Sequence, residues 1–312
     1  MTIPTATTIP TAMTQALAKC RPLLCAAVGV LSTLGVLSLT HVGPAQAQSP
    51  GVNLAALVAQ VNTLKAQVAT LQQKTAPLSV SGTPGTFPAT LSITGVNVQV
   101  VSGLGSTNDG GTLSGLGNLI IGYNALGNTR DVGDVRRGSH NLILGDLNNY
   151  SNFGGLVAGR DNAISGQYAS VSGGANNAAS GDRASVSGGQ LNTANGDFAS
   201  VSGGEGNTAS GDRSSVSGGF NTASGDDASV SGGRLNKASG KDASVSGGEG
   251  NTASGDRSSV SGGNQNTASG DFASVSGGAF STASGDYASV SGGSGLTQST
   301  LLGWTGGAYH TP

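Results

Sequence analysis

Between Thr90 and Thr311 the chain has no proline, and after Cys25 it has no cysteine. The missing cysteines exclude a disulfide framework and a cysteine-based zinc site from the body of the protein. Disordered low-complexity tracts are often proline-rich, whereas a backbone whose N–H groups must pair in β-ladders rejects proline. The whole stretch from Thr90 to Thr311 therefore reads as ordered β-structure. Charge is scarce at 10%, the formal net charge is −2, and no Lys/Arg cluster stands out. Nucleic acid is not an expected partner. With 4% aromatics and a single Trp, a core of large side chains is not expected either.

What the chain does have is glycine, 54 of them, at a fixed period. One valine tracks that period: Val171, Val186, Val201, Val216, Val230, Val245, Val260, Val275 and Val290. The numbering advances by 15 at each step except from Val216 to Val230, where it advances by 14. There Phe220 alone fills a slot that elsewhere holds two residues. Ile143 and Val157 extend the series backwards by steps of 14. Asn118 to Gly122 and Asn141 to Gly145 read as degenerate first coils, set further apart than the regular ones by an insertion around Asn128 to Arg137. A repeat this short suits one coil of a parallel β-solenoid. Alternation along Ala169-Ser170-Val171-Ser172 sends Ala and Val inward and both serines outward. In Asn192-Thr193-Ala194-Asn195-Gly196, Ala194 points inward between two outward polar residues, and the glycine pairs are expected at tight corners. Eleven steps from Ile121 to Val290 at ~4.8 Å each make a rod on the order of 50 Å long.

Five segments follow: 1–47 an export signal, 48–76 a stalk, 77–117 a linker and β N-cap, 118–295 the solenoid, 296–312 a tail or cap. Lys19 and Arg21 precede an apolar run from Leu23 to Leu39, and Ala45-Gln46-Ala47 supplies a signal-peptidase pattern, so the mature chain is expected to begin at Gln48. An uncleaved anchor is the alternative. Either way the body is exported, secreted or at the cell surface. Leu54, Leu57, Val61, Leu64, Val68 and Leu71 step by three and four residues, the spacing of three coiled-coil heptads. After the prolines at 77, 84 and 88, Leu91, Ile93, Val96, Val98 and Val100 alternate with polar residues as strands do. One Val and two Ala per coil make a thin core, so the solenoid and the stalk both point to a homo-oligomer.

The stretches Ser170-Val171-Ser172-Gly173-Gly174 and Asn192-Thr193-Ala194-Asn195-Gly196 resemble the head repeats of trimeric autotransporter adhesins, the YadA-like family. The resemblance runs from about Asn118 to Gly293. It implies a left-handed parallel β-roll, three chains side by side, and adhesion to extracellular matrix or another surface ligand. The sequence departs from that family in the length of its unit, in Gly173 and its equivalents standing where an apolar residue belongs, and in a stalk that precedes the head. No run of amphipathic strands follows Val290, so a C-terminal membrane barrel is not expected.

No catalytic, cofactor-binding or metal residue is nominated, because every Ser and Asp of the array recurs once per coil and no enzyme is expected. His140 and His310 have no partner set visible in sequence. The column Asp182, Asp197, Asp212, Asp226, Asp256, Asp271, Asp286 invites a Ca²⁺ hypothesis, but turn residues are the simpler reading. The adjacent column runs Tyr168, Arg183, Phe198, Arg213, Asp227, Asp242, Arg257, Phe272, Tyr287. In-register stacking puts Arg213 by Asp227, Asp242 by Arg257, Arg183 and Arg213 on either side of Phe198, and Phe272 against Tyr287. Outward Thr193, Thr208, Thr222, Thr252, Thr267 and Thr282, broken by Lys237, form a ladder that offers ice binding as the competing function.

Overall fold

The computed structural model describes residues 54–81, 90–130 and 133–307, and the chain divides into two units after Val96. The expected signal segment and His310 lie outside the described residues. In the first unit, helix α1 spans Leu54–Thr75 and none of its residues is buried. Strands β1 (Leu78–Ser81) and β2 (Thr90–Ile93) form an antiparallel pair that sets Leu78 opposite Ile93 and Val80 opposite Leu91. Alternation puts these four apolar residues on one face. Val96, Val98 and Val100, expected as a further strand, lie in no strand. The described residues of the first unit bury no apolar side chain, whereas the second unit has a core.

The second unit is a parallel β-solenoid. Its first strands are β3 (Leu119–Ile121), β4 (Leu142–Asp146), β5 (Asn149–Tyr150) and β6 (Leu156–Arg160). Beyond them every coil contributes two short strands, a Ser-Val pair such as Ser185–Val186 and a Thr-Ala pair such as Thr193–Ala194. The Ser-Val strands, with β3, β4 and β6, build a 13-stranded sheet, and the Thr-Ala strands, with β5, an 11-stranded one. All rungs pair in parallel and in register, Val186 with Val171 on one side and Val201 on the other. Single bridges from Arg160 through Gln190 to Ser294 make a third line of contact. At the first coil, Ile120 rather than Ile121 is the residue in register with Ile143. The rungs also continue past Gly295, through Thr297–Gln298 and Trp304–Thr305, into the stretch expected as a tail or cap.

Between the sheets lie the valine column, two alanine columns and a column of asparagines. Val171 through Val290 and Ala179 through Ala283 are at most 2% exposed, and so are Asn148, Asn162, Asn177 and each equivalent to Asn266. The asparagines are fully satisfied. The Asn207 Oδ1 accepts the Asn221 N–H at 3.0 Å, while its Nδ2 donates to Gly203 O at 2.8 Å and Gly218 O at 2.7 Å. The same three bonds recur from coil to coil. A buried amide is tolerated here because no polar atom is left without a partner.

The second alanine column, Ala169 to Ala288, has two exceptions, Ser214 and Ser258. Their buried hydroxyls have no hydrogen-bond partner. A desolvated, unpaired hydroxyl costs about 1–3 kcal/mol. Ser214→Ala and Ser258→Ala are therefore expected to raise stability by about 1 kcal/mol each, read as an upward shift of the denaturation midpoint, and a fall would show that the hydroxyls are bonded.

The short coil has its gap elsewhere than at Phe220. Gly204 and Gly233 both face Gly218, Gly219 bridges Glu205 and Arg234, and Phe220 occupies the corner equivalent to Gly206 and Leu235. The missing residue is the first glycine of the pair. Asn221 then donates to Ser217 O, where its neighbour Asn207 uses Gly203 O.

Candidate interaction surfaces

Besides the second glycine of each pair, two corners of each coil lie in the left-handed region, and neither is reserved for glycine. One holds Tyr168, Arg183, Phe198, Arg213, Asp227, Asp242, Arg257, Phe272, Tyr287 and Leu302, with φ between 56° and 60° for most of them. The other includes Asn176, Leu191, Phe220, Leu235, Gln265 and Phe280. Non-glycine residues resist this conformation by about 1–3 kcal/mol. Here the strain is offset by a backbone bond from each corner N–H to the preceding coil, as from Phe198 N to Asp182 O at 2.8 Å. Since the backbone bond sets the turn, the side chain is free to vary and faces solvent.

The first corner column stacks as its register requires. Arg213 donates to Asp227 from Nε at 2.6 Å and from a terminal nitrogen at 2.8 Å. That fork holds the Asp227 carboxyl below the usual range and raises Arg213 further above its own. Arg257 Nε lies 3.7 Å from Asp242. The Arg183 guanidinium sits 5.8 Å from the Tyr168 ring centre and 5.1 Å from Phe198. Phe272 and Tyr287 stack 4.7 Å apart at 3°. Arg213 was expected to flank Phe198 as well, but its fork engages Asp227. The second corner adds contacts that sequence reading missed: Arg234 over Phe220 at 5.8 Å and beside Glu249 at 3.5 Å. All of these pairs are solvent-exposed, so each contributes well under about 1 kcal/mol.

The Asp column caps backbone. Asp197 Oδ1 accepts the Asp182 N–H at 2.9 Å, Asp212 Oδ1 the Asp197 N–H at 3.1 Å, and the pattern repeats up to Asp286. Lys241 interrupts it between Asp226 and Asp256. Among the described residues no group of three or more His, Cys, Asp or Glu side chains could hold a metal ion.

His140 has partners that its sequence neighbourhood does not announce. Its Nε2 accepts the Ser102 N–H at 3.1 Å and its Nδ1 lies 2.9 Å from Thr107 O, so the proton sits on Nδ1. Buried Asp109, 3.8 Å from that Nδ1, accepts the Ser102 hydroxyl at 2.5 Å and the Ser114 hydroxyl and N–H at 2.6 and 2.8 Å. The cluster borders an open cleft of about 380 Å³ lined by Gln99, Val101 and Ser106 among others. Both ring nitrogens engage backbone groups and the Ser102 hydroxyl turns to Asp109, so no hydroxyl is aligned with an imidazole base. The arrangement fastens segment 99–114 to the first coils. An inserted loop does the same along the threonine face: Asn128 donates to Leu147 O and Asn162 O, Thr129 to Asp161, and Arg130 to Thr193.

The hydroxyls of Ser102, Ser114 and Ser139 hold Asp109 far below the usual carboxylate range. A carboxyl depressed on folding contributes stability that is complete above its unfolded value, about 4, and is lost as pH falls through the folded one. Amide protection at Ser102 and Ser114, corrected for intrinsic exchange, is expected to decline as pH drops below about 4. Asp109→Asn should lower protection at neutral pH and remove the dependence; equal protection in both proteins would count against the fastening.

Neither a protein-family model nor a curated protein matches the chain.

Proposed function

We propose that this is an exported, surface-associated adhesin-like protein that contacts other surfaces through the corner columns of its solenoid. The observation that carries the reading is the division of labour within a coil. Valine, asparagine and two glycine positions recur with almost no change, while two strained corners per coil display Arg, Asp, Phe, Tyr, Leu or Gln to solvent. A repetitive scaffold with variable exposed side chains is built for contact over an extended area.

Three chains side by side, each a left-handed β-roll, form the assembly in this reading. The apolar stripe Leu54, Leu57, Val61, Leu64, Val68 and Leu71 of α1, each residue at least 41% exposed, is then a coiled-coil seam. The mass of the protein in solution tests the assembly: three chains are expected, and a stable monomer would overturn it. Retention on matrix-coated surfaces tests the contact. It should fall when Arg183, Phe198, Leu191 and Phe220 are replaced together by Asn, which tolerates the left-handed corner; unchanged retention would remove the corners from the proposal.

One observation favours a second reading. Thr193, Thr208 and Thr222 stand in one parallel register, as do Thr252, Thr267 and Thr282 beyond Lys237, a regular hydroxyl ladder of the kind that can order water into ice. Thermal hysteresis of the purified protein separates the two readings, and none would eliminate this one.

A further inference from the structure

The last coil is inverted. At the inward positions of Ala283 and Val290 it places Gln298 and Thr305, and at the outward positions of Asp286 and Ser289 it places Leu301 and Trp304. Inside, the polar pair closes the core: Gln298 Nε2 donates to Thr305 Oγ1 at 3.0 Å, while its Oε1 accepts from Thr300 N at 3.0 Å and Thr300 Oγ1 at 2.7 Å. A polar end of this kind blocks further stacking along the rod, as terminal repeats do. Outside, Leu301, Leu302 and Trp304 are 67%, 72% and 67% exposed. The Trp304 indole is held in place by a bond from Nε1 to Ser291 Oγ at 2.7 Å.

We propose that Leu301, Leu302 and Trp304 form a lipid-contacting tip that inserts into the interfacial zone of an uncharged or zwitterionic membrane surface. Three observations select that occupant. The exposed area of the three side chains is on the order of 400 Å², about half of what each partner of a stable protein interface buries. From Tyr287 to Pro312 the sequence has no Asp, Glu, Lys or Arg, and the carboxylate one rung away, Asp286, is turned to the Asp271 N–H at 3.1 Å, so no cation of this stretch selects an anionic surface. An indole beside a leucine pair is the composition that settles at the boundary of hydrocarbon and water. The tip takes in Leu302, the last member of the first corner column, but none of the four corner residues whose replacement tests matrix contact, and it stands whether or not those bind matrix.

Trp304 is the only tryptophan of the chain, so its emission reports this site alone, even though the apolar run Leu23 to Leu39 could itself bring the full chain to a vesicle. With phosphatidylcholine vesicles the emission is expected to move to shorter wavelength and to be quenched by brominated acyl chains. Leu301→Ser with Leu302→Ser is expected to raise the lipid concentration at half-shift at least tenfold while far-ultraviolet circular dichroism stays unchanged. An emission that vesicles neither move nor quench would overturn the proposal. So would a Trp304 already shielded from acrylamide without lipid and freed by the double variant together with a drop in sedimenting mass, because a second copy of the chain would then cover the patch.

Discussion

Gly248→Ala is expected to destabilise the solenoid by more than about 4 kcal/mol, and Gly247→Ala, one residue away, by less than about 0.5 kcal/mol. A Cβ on Gly248 would lie 2.1 Å from the carbonyl oxygen of Gly263 in the next coil, at a φ of +85°. Both partners are backbone, locked in ladders on either side, so neither can yield without separating the coils. A Cβ on Gly247 meets nothing within 4 Å, and its φ is outside the left-handed region. Chemical denaturation of the two variants in parallel checks the contrast. Two similar losses would mean that the pair acts through chain entropy and not through contact.

Asn207→Ala carries the second large expected effect, about 3–5 kcal/mol. The substitution removes the acceptor for the buried Asn221 N–H and one donor each to the partly buried Gly203 O and Gly218 O, of which Gly218 O keeps only the longer bond from Glu205 N–H at 3.3 Å. The outward Thr208→Ala in the same strand should change stability by less than about 0.5 kcal/mol. Repeat arrays unravel locally as well as globally, so hydrogen exchange at the Asn221 amide is the sharper measure. Retained protection there would show that the amide ladder is dispensable.

How far the sequence reveals this molecule depends on whether a residue's role follows from period alone. The valine column and the pairings of Arg213 with Asp227 and Phe272 with Tyr287 are consequences of register, and register is written in the spacing. The asparagine column was legible in principle: Asn occupies the position from Asn148 to Asn266 without a break, a constancy that the outward threonine column lacks. Alternation hides it, because a polar residue beside Thr193 reads as outward unless its hydrogen bonds are known. The corners were less accessible still. Arg, Phe and Asp carry no mark of positive φ; the conformation is imposed by a backbone bond to the preceding coil. His140 and Asp109 lie far apart along the chain with no repeat to relate them. The heptad spacing gave a helix at Leu54–Thr75, while its partner surface is a matter of assembly.

The asparagine ladder also governs how such a rod can change length. Each amide bonds only within its own coil and to the coils directly above and below. No hydrogen bond in the regular array counts the total number of coils. Excising one regular repeat unit, or copying one in, brings together two surfaces whose backbone and asparagine ladders already match, and exchanges only the variable side-chain pairs at the exposed corners. The extent of the array is therefore set by the two atypical ends, the fastened segment near His140 and the inverted coil at Trp304, while the middle is free to grow or shrink by whole units.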